Sequence, residues 1–391
     1  MILGASYSQL PLYEAARKLG AATVAASTPG DWPGFAVADE SVYADITNPE
    51  AILKAAQEKG IDGIATCCLD AGVRALGYTC EKMGLIGPSA RAADISNDKF
   101  KMKEAFMAGG VQCARHICIH SLEELEEDYY RVNEMGELAS FILGFHAEYT
   151  TSRDRMEGLA ALANKVKSPV FLHNAETALE VKECKERWGM TPTGLTDALG
   201  MYTYGGGGYH CIHMEDGDFE IFKKRQLTAV TNPASNLKLA SGIAPIKRYL
   251  DEGIALAIGT DGPASNNCLD MFREMFLTTA LAKVKEQDAA CVPAEEVLYM
   301  ATAAGAQCMG LADCDSLSVG KKADIIMIDL MQPNMQPEND IAKNIVYSGS
   351  KQNVIMTMVN GRILYENGQF EIGFDPKEIY AKANAVIGRM K

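Results

Sequence analysis

Apolar residues in the first part of the chain form short runs, and these alternate with segments in which apolar residues recur at helical spacing. Such alternation is typical of βαβ units, in which helices connect the strands of a parallel sheet. It therefore predicts an α/β fold with a Rossmann-like N-terminal domain. The predicted strands cover residues 1–3, 22–26 and 63–67, and the predicted helices cover residues 12–18, 51–59 and 74–83.

The same alternation resumes near residue 136 with longer units and predicts five strands that form part of a TIM-like (β/α) barrel. Beyond residue 317 the pattern changes to antiparallel strands joined by Asn-Gly turns, followed by a helix that starts at Pro376. This part predicts a small C-terminal β-subdomain. The barrel strands are predicted at 139–144, 169–172, 209–214, 227–231 and 254–259, and the later strands at 323–330, 354–359 and 363–365.

A strongly acidic stretch at residues 121–135 is the best candidate for a domain boundary. Charge runs of this kind usually form the solvated face of a helix. We therefore divide the chain into an N-terminal α/β domain at 1–125, a partial barrel at 126–316, and a β-subdomain with a closing helix at 317–391.

Charge and cysteine content limit the partners and the compartment of the protein. The net charge of -14, without a basic stripe, argues against nucleic acid and favours a small-molecule ligand. The N-terminus has no basic region of a secretory signal, and no apolar stretch is long enough to span a bilayer. Eleven irregularly spaced cysteines indicate reduced thiols rather than a disulfide framework. We therefore expect a cytoplasmic protein without membrane partners.

Three polar clusters directly follow apolar runs in the second region, and they contain candidate chemistry. His173 and Asp261 end predicted strands and have the neutral imidazole and carboxylate that zinc binds. Glu176 lies three residues after His173, where a carboxylate can transfer protons to and from water. His210 is the candidate for orienting the attacking oxygen, and Asp261 is the second hydrogen-bond partner of that oxygen. His213 is the weaker choice for the role of His210.

Five motifs in the second region are specific, and they lie at 144–150 (GFHAEYT), 173–177 (HNAET), 209–213 (YHCIH), 231–242 (TNPASNLKLASG) and 259–270 (GTDGPASNNCLD). Through these motifs the region from about 130 to 375 resembles the amidohydrolase superfamily, specifically the 5′-methylthioadenosine/S-adenosylhomocysteine deaminases, and the five barrel strands would then be strands 4 to 8 of the family's barrel. This resemblance implies hydrolytic deamination of an adenine nucleoside at C6, with one divalent metal, usually zinc. It implies His173 and Asp261 as metal ligands, Glu176 as the proton shuttle, His210 as an orienting base and His146 as a substrate contact.

The first 120 residues contain three further segments of interest, at 2–5, 69–72 and 96–103. Through these segments this part resembles a different family, the N-terminal domain of ATP-grasp ligases of the carbamoyl-phosphate-synthase type. The nucleotide-binding subdomains that follow this domain in such ligases are missing here, which argues against ligase-like ATP chemistry. The chain thus reads as a fusion of two truncated proteins joined near 121–135.

One part of the metal site that the deaminase resemblance implies is absent from this sequence. A barrel of this family has a His-x-His pair on its first strand, and none of the six histidines forms such a pair. Two ligands alone predict weak metal binding. Five barrel strands also predict open edges that a homo-oligomer could cover. Two interpretations therefore stay open: a metal-dependent deaminase, or a catalytically impaired module that binds a nucleoside or serves in assembly.

Overall fold

The computed structural model describes residues 1–111, 113–114, 116–136 and 138–390, with the side chain of Met390 left out. The chain divides into two compact units, Met1–His120 and Ser121–Lys391. Both have an α/β architecture with a parallel sheet, as predicted. The Rossmann-like assignment and the domain bounds at 125 and 316 stay predictions.

The N-terminal unit contains a three-stranded parallel sheet in the order β1-β2-β3. Neighbouring strand residues point to opposite faces, so Ile2 packs with Tyr13 on one face while Leu3 packs with Ile52 on the other. The helices therefore cover both faces. The strands are β1 (Ile2–Leu3), β2 (Val24–Ser27) and β3 (Glu40–Tyr43), and the helices are α1 (Leu10–Lys18), α2 (Pro33–Val37), α3 (Pro49–Lys59), α4 (Val73–Met83), α5 (Ala90–Asn97) and α6 (Lys99–Ala108).

One predicted strand of this unit is wrong, and one strand was missed. Residues 63–67 form only an isolated bridge, in which Ala65 accepts a backbone hydrogen bond from Leu3 and donates one to Met1. The backbone then leaves the extended conformation, and Cys68 has a φ of 53°. The strand β3 was missed because its four side chains are exposed or only half-buried, so it has no apolar run.

The second unit contains a five-stranded parallel sheet in the order β4-β5-β6-β7-β8, which makes β4 and β8 its edge strands. Successive side chains of each strand again point to opposite faces of the sheet. Leu172, Ala229 and Leu256 pack into the large core beneath the helices, whereas Phe171, Val230 and Ala257 form a smaller cluster on the other face. The strands are β4 (Leu143–Gly144), β5 (Val170–Asn174), β6 (Gly206–His210), β7 (Thr228–Thr231) and β8 (Ala255–Ile258).

Helices flank the sheet along the second unit. The acidic stretch forms α7, which has no buried residue, as predicted for a solvated helix. The helices are α7 (Leu122–Asn133), α8 (Arg153–Val166), α9 (Ala178–Trp188), α10 (Pro192–Ala198), α11 (Asp216–Arg225), α12 (Pro233–Lys238), α13 (Ile246–Asp251), α14 (Pro263–Asn266), α15 (Met271–Glu286), α16 (Ala294–Ala301), α17 (Ala303–Cys308), α18 (Ile341–Lys343) and α19 (Pro376–Met390).

The predicted bounds of β6 are wrong, since the strand consists largely of the glycines that precede 209–214. Glycine fits there because the neighbouring strands leave no room for a side chain. A Cβ on Gly206 would lie 2.0 Å from the Val170 carbonyl oxygen, and one on Gly207 would lie 2.0 Å from that of Thr228. The apolar residues after His210 instead form a turn, in which Cys211 has a φ of 49°.

The C-terminal part forms an antiparallel sheet in the order β12-β11-β10-β9, and helix α19 follows from Pro376, as predicted. Asn360 and Asn367 both have positive φ and precede glycines, so both predicted hairpin turns are confirmed. Within the described residues, no helix has the length and apolarity needed to cross a bilayer. The strands are β9 (Ile325–Ile328), β10 (Val354–Val359), β11 (Arg362–Glu366) and β12 (Gln369–Phe370).

Candidate functional site

The candidate residues are gathered by the carboxyl ends of the parallel strands in the second unit. His173 and His210 lie at the ends of β5 and β6, where Asn174 is paired with His210. Glu176 follows β5 by two residues, and Asp261 follows β8 by three. Because the strands are parallel, these ends share one edge of the sheet, which is where ligands of α/β proteins bind.

Three of the histidines stack at this edge. The ring centroids of His146 and His173 are 4.3 Å apart, and those of His173 and His210 are 5.3 Å apart. The Nδ1 atom of His173 is 2.9 Å from the carbonyl oxygen of His146. A carbonyl oxygen can only accept, so Nδ1 has the proton and Nε2 keeps its lone pair. Nε2 is therefore the nitrogen through which His173 would bind a metal.

His146 is exposed at the outer end of the stack, so a ligand can reach its ring. Partial burial, together with the adjacent His173, lowers the pKa of His146, while Glu176 and Asp261 oppose this change. The imidazole is therefore biased towards its neutral form. A neutral ring can donate one hydrogen bond and accept another, as the predicted substrate contact would need.

His210 is buried, with 2% of its surface exposed, and both of its nitrogens have polar neighbours. Nδ1 lies 2.7 Å from Oδ1 of Asn236, which can only accept, so Nδ1 is again the donor. Nε2 lies 3.8 Å from Oε2 of Glu176. Asn236 therefore directs the free nitrogen of His210 towards the carboxylate of Glu176.

Glu176 is half-buried and is held by groups that are distant in sequence. Its Oε1 accepts a hydrogen bond of 3.0 Å from the hydroxyl of Ser241. The carbonyl oxygen of Ser241 accepts one of 2.8 Å from Nε2 of His213. His213 is therefore linked to Glu176 through Ser241.

Asp261 is held in place by two hydrogen bonds. Its carboxylate accepts hydrogen bonds of 2.6 Å from the Ser235 hydroxyl and from the backbone N–H of Gly262. Burial alone would raise the pKa of Asp261, but the hydrogen bonds from Ser235 and Gly262 lower it below its ordinary value, with a smaller contribution from the adjacent His210 and His173. The carboxylate is therefore held in its ionised form near the histidines.

Sequence reasoning did not assign roles to several residues that hold this site. Ser235, Asn236 and Ser241 all lie in the 231–242 segment, and each donates to or accepts from a candidate residue. The signal was present, because this segment was recognised as a specific motif. Its individual side chains had no assigned partners, since those partners lie on other strands.

The residues present supply only part of a zinc site. A catalytic zinc usually has three protein ligands and one open position. Throughout the part of the chain that the structure describes, no three His, Cys, Asp or Glu side chains are grouped so that they could hold a metal ion. His173 and Asp261 therefore stay predicted ligands of an incomplete donor set.

An apolar cavity of about 320 Å³ lies on the same face of the sheet as Phe171 and Val230. Tyr209 lines the cavity, and its ring centroid lies 5.8 Å from that of His173. His173 is two residues after Phe171 in β5 and therefore points to the same face. The cavity and the ring of His173 therefore lie on the same face of the sheet, with Tyr209 between them.

The sequence was compared with protein families and with curated proteins. The sequence matches the Amidohydrolase family over residues 33–364. Two curated relatives are named 5-methylthioadenosine/S-adenosylhomocysteine deaminase. The one from Caldanaerobacter subterraneus subsp. tengcongensis is 38% identical over 61% of this chain and 55% of its own length. The one from Moorella thermoacetica is 39% identical over 62% and 56%. The chain thus spans about half the length of these relatives.

Solved structures share the fold. An adenosine deaminase from Xanthomonas campestris with bound zinc aligns with a TM-score of 0.64 and 24% identity, over 88% of this chain and 76% of its own. Atrazine chlorohydrolase TrzN from Arthrobacter aurescens TC1, complexed with zinc, aligns with a TM-score of 0.60 and 21% identity, over 96% and 75%. At these identities the likeness concerns the fold alone.

Proposed function

The chain belongs to the Amidohydrolase family, and from this premise we propose that it deaminates an adenine nucleoside of the 5′-methylthioadenosine or S-adenosylhomocysteine type. Water would add at C6 and the amino group would leave as ammonia, which gives the inosine analogue. The names of the curated relatives support this substrate class. The observation that carries the proposal is the convergence of Glu176, His210 and Asp261 at one edge of the sheet.

Each of these residues has a distinct part in the proposed reaction. Glu176 takes a proton from the attacking water and returns it to the leaving amine, for which its position beside His210 is suited. Nε2 of His210 orients the oxygen that attacks C6, because Asn236 holds the ring by its other nitrogen. Asp261, ionised and fixed by Ser235, is the second acceptor for that oxygen's proton. His146 contacts the substrate.

A divalent metal, zinc by analogy with the solved structures, would bind at His173 and Asp261 with donors from outside this pair. We further propose that strands β4 to β8 correspond to strands 4 to 8 of a (β/α)8 barrel. The ATP-grasp resemblance of the N-terminal unit, the cytoplasmic location and the covering of the sheet edges by a homo-oligomer stay predictions from sequence.

The proposal is tested by ammonia release from 5′-methylthioadenosine. Glu176→Gln keeps the size of the side chain but removes its basicity, so turnover should fall at least about a hundredfold. Glu186→Gln, on the exposed side of α9, is the matched control and should not change turnover. Equal rates for the wild-type protein and Glu176→Gln would contradict the assignment of the proton shuttle, and no ammonia from the wild type would contradict the deaminase.

The incomplete donor set favours a second candidate function, a module that binds the nucleoside without converting it. Calorimetric titration with 5′-methylthioadenosine separates the two candidates. Saturable binding without ammonia release supports the module, whereas binding with release supports the enzyme. Absence of binding excludes both.

A further inference from the structure

Glu180 is a buried carboxylate beneath the candidate site and has no role in the proposed reaction. It lies in the first turn of α9 and is 5% exposed. Its two oxygens accept hydrogen bonds from three consecutive backbone N–H groups. The donor distances are 3.1 Å for Ala175, 2.7 Å for Glu176 and 3.3 Å for Thr177.

This pattern extends beyond an ordinary helix cap. In a capping box the side chain at the third helical position accepts only from the N-cap residue, which here is Thr177. The shorter bonds of Glu180 instead go to Ala175 and Glu176, upstream of the cap. Glu180 therefore fixes the segment that connects β5 to α9, not just the start of the helix.

The segment needs such support because its backbone is unusual. Ala175 has a φ of 50°, in the left-handed region that residues other than glycine rarely adopt. Its carbonyl oxygen accepts hydrogen bonds of 3.1 Å from Ile212 and 2.9 Å from His213. The segment is thus held by Glu180 on one side and by the loop after β6 on the other.

We infer that Glu180 is a positioning residue, whose carboxylate fixes the backbone of Glu176 so that the Glu176 side chain meets His210 and Ser241. The inference deepens the proposed function and rests on it for the effect on catalysis. The effect on the backbone is independent of any activity. A displaced Glu176 would lose its approach to the reacting atoms, and misplacement of about 1 Å can cost about a hundredfold in rate.

The chain offers a matched control in Asp218, a buried carboxylate at the equivalent position of α11. It accepts a hydrogen bond of 2.8 Å from the N-cap residue Glu215 and another from the hydroxyl of Thr191. Asp218 contributes to a helix cap in the same unit but has no hydrogen bond to residues 175–177. A substitution of Asp218 therefore shows the effect of losing a buried helix cap alone, and the difference from a Glu180 substitution shows the effect of losing the contacts to residues 175–177.

The experiment compares Glu180→Gln and Asp218→Asn in the full chain by hydrogen exchange, resolved to the peptide that covers 175–177, and by ammonia release from 5′-methylthioadenosine. We expect Glu180→Gln to increase exchange in this peptide by about tenfold or more. We also expect it to lower kcat by about ten- to a hundredfold, with KM changed less than about threefold. Asp218→Asn should leave the exchange of this peptide unchanged.

Glu180→Asp is the second variant in case Glu180→Gln does not fold, since it keeps the charge and shortens the reach by one methylene. Unchanged exchange at 175–177 in the folded variants would overturn the inference, as would an equal increase in Asp218→Asn. If the wild-type protein releases no ammonia, the proposed function fails, while the exchange comparison still decides whether Glu180 fixes the backbone.

Discussion

The histidines of the site illustrate how a single hydrogen bond decides the chemistry of a residue. In both His173 and His210 an oxygen that can only accept faces Nδ1, so the proton lies there and Nε2 is free. Both rings therefore present a lone pair instead of an N–H group. For His210 the deciding partner, Asn236, lies 26 residues away along the chain. The residue type was readable from sequence, but the tautomer was not.

Glu180 permits a prediction on stability at this scale. Burial raises the pKa of Glu180 from 4.5 to about 7, although the three backbone N–H groups oppose this change. Since the folded pKa lies above the unfolded one, its contribution to stability is fully present below pH 4.5 and is lost as the pH rises through about 7. The free energy of unfolding of the wild type relative to Glu180→Gln should therefore fall by about 3 kcal/mol between these limits.

Urea unfolding, monitored by circular dichroism at pH 4.5 and pH 8, measures this difference. Glu186→Gln, which changes an exposed glutamate of the same helix, should show a much smaller pH-dependent difference. A wild-type advantage over Glu180→Gln that is the same at both pH values would contradict the raised pKa.

At the scale of elements, β6 shows that a strand can form from glycines, without apolar side chains, where the neighbouring strands lie very close. Apolar periodicity located the other four strands of its sheet within a few residues, because their side chains pack into cores on both faces. It misplaced β6, because a glycine run has no apolar signal. It also assigned a full strand to 63–67, where Thr66 instead donates its hydroxyl to the carbonyl oxygen of Leu3.

Gly207→Ala tests the packing of β6. The added Cβ would lie 2.0 Å from the Thr228 carbonyl oxygen in β7, so the strands must separate or shift. We expect a loss of about 3 to 5 kcal/mol in the free energy of unfolding, measured by urea titration.

Gly217→Ala is the control for this substitution. Gly217 lies in helix α11 with no heavy atom within 4 Å of the added Cβ, so alanine there should stabilise by up to about 1 kcal/mol. Equal effects of the two substitutions would show that β6 does not depend on the absence of side chains.

At the scale of the whole molecule, the candidate residues lie together at one edge of the sheet, but they supply too few ligands for a metal ion. His173 and Asp261 supply two of the predicted ligands, and the family match covers residues 33–364. The chain nevertheless spans about half the length of its curated relatives. Metal affinity is therefore the property that tests directly whether the donor set of this chain is complete.

We predict that the purified chain retains much less than one zinc ion per molecule after dialysis. Each missing ligand removes a large part of the binding free energy, so a two-ligand site should lose zinc readily. Inductively coupled plasma mass spectrometry gives the stoichiometry, and His173→Ala should lower it further at saturating zinc. One tightly held zinc per chain in the wild type would show that the donor set is complete.

Features that depend only on neighbouring residues could be predicted from the amino-acid sequence. The apolar periods predicted most strands and helices, and the Asn-Gly pairs predicted both C-terminal hairpin turns, because a turn is decided by the residues within it. The polar clusters predicted which side chains would follow the strand ends. These statements require only local geometry and the common direction of parallel strands.

The contacts that hold those side chains in place depend on the folded chain and could not be predicted. Glu176 accepts a hydrogen bond from Ser241, which lies 65 residues further along the chain. Asp261 accepts one from Ser235, which lies 26 residues before it. Such partners depend on how loops from different strands pack, and no periodicity along the chain reports that. The same reason applies to the glycines of β6, whose necessity becomes visible only when the adjacent backbones are in place.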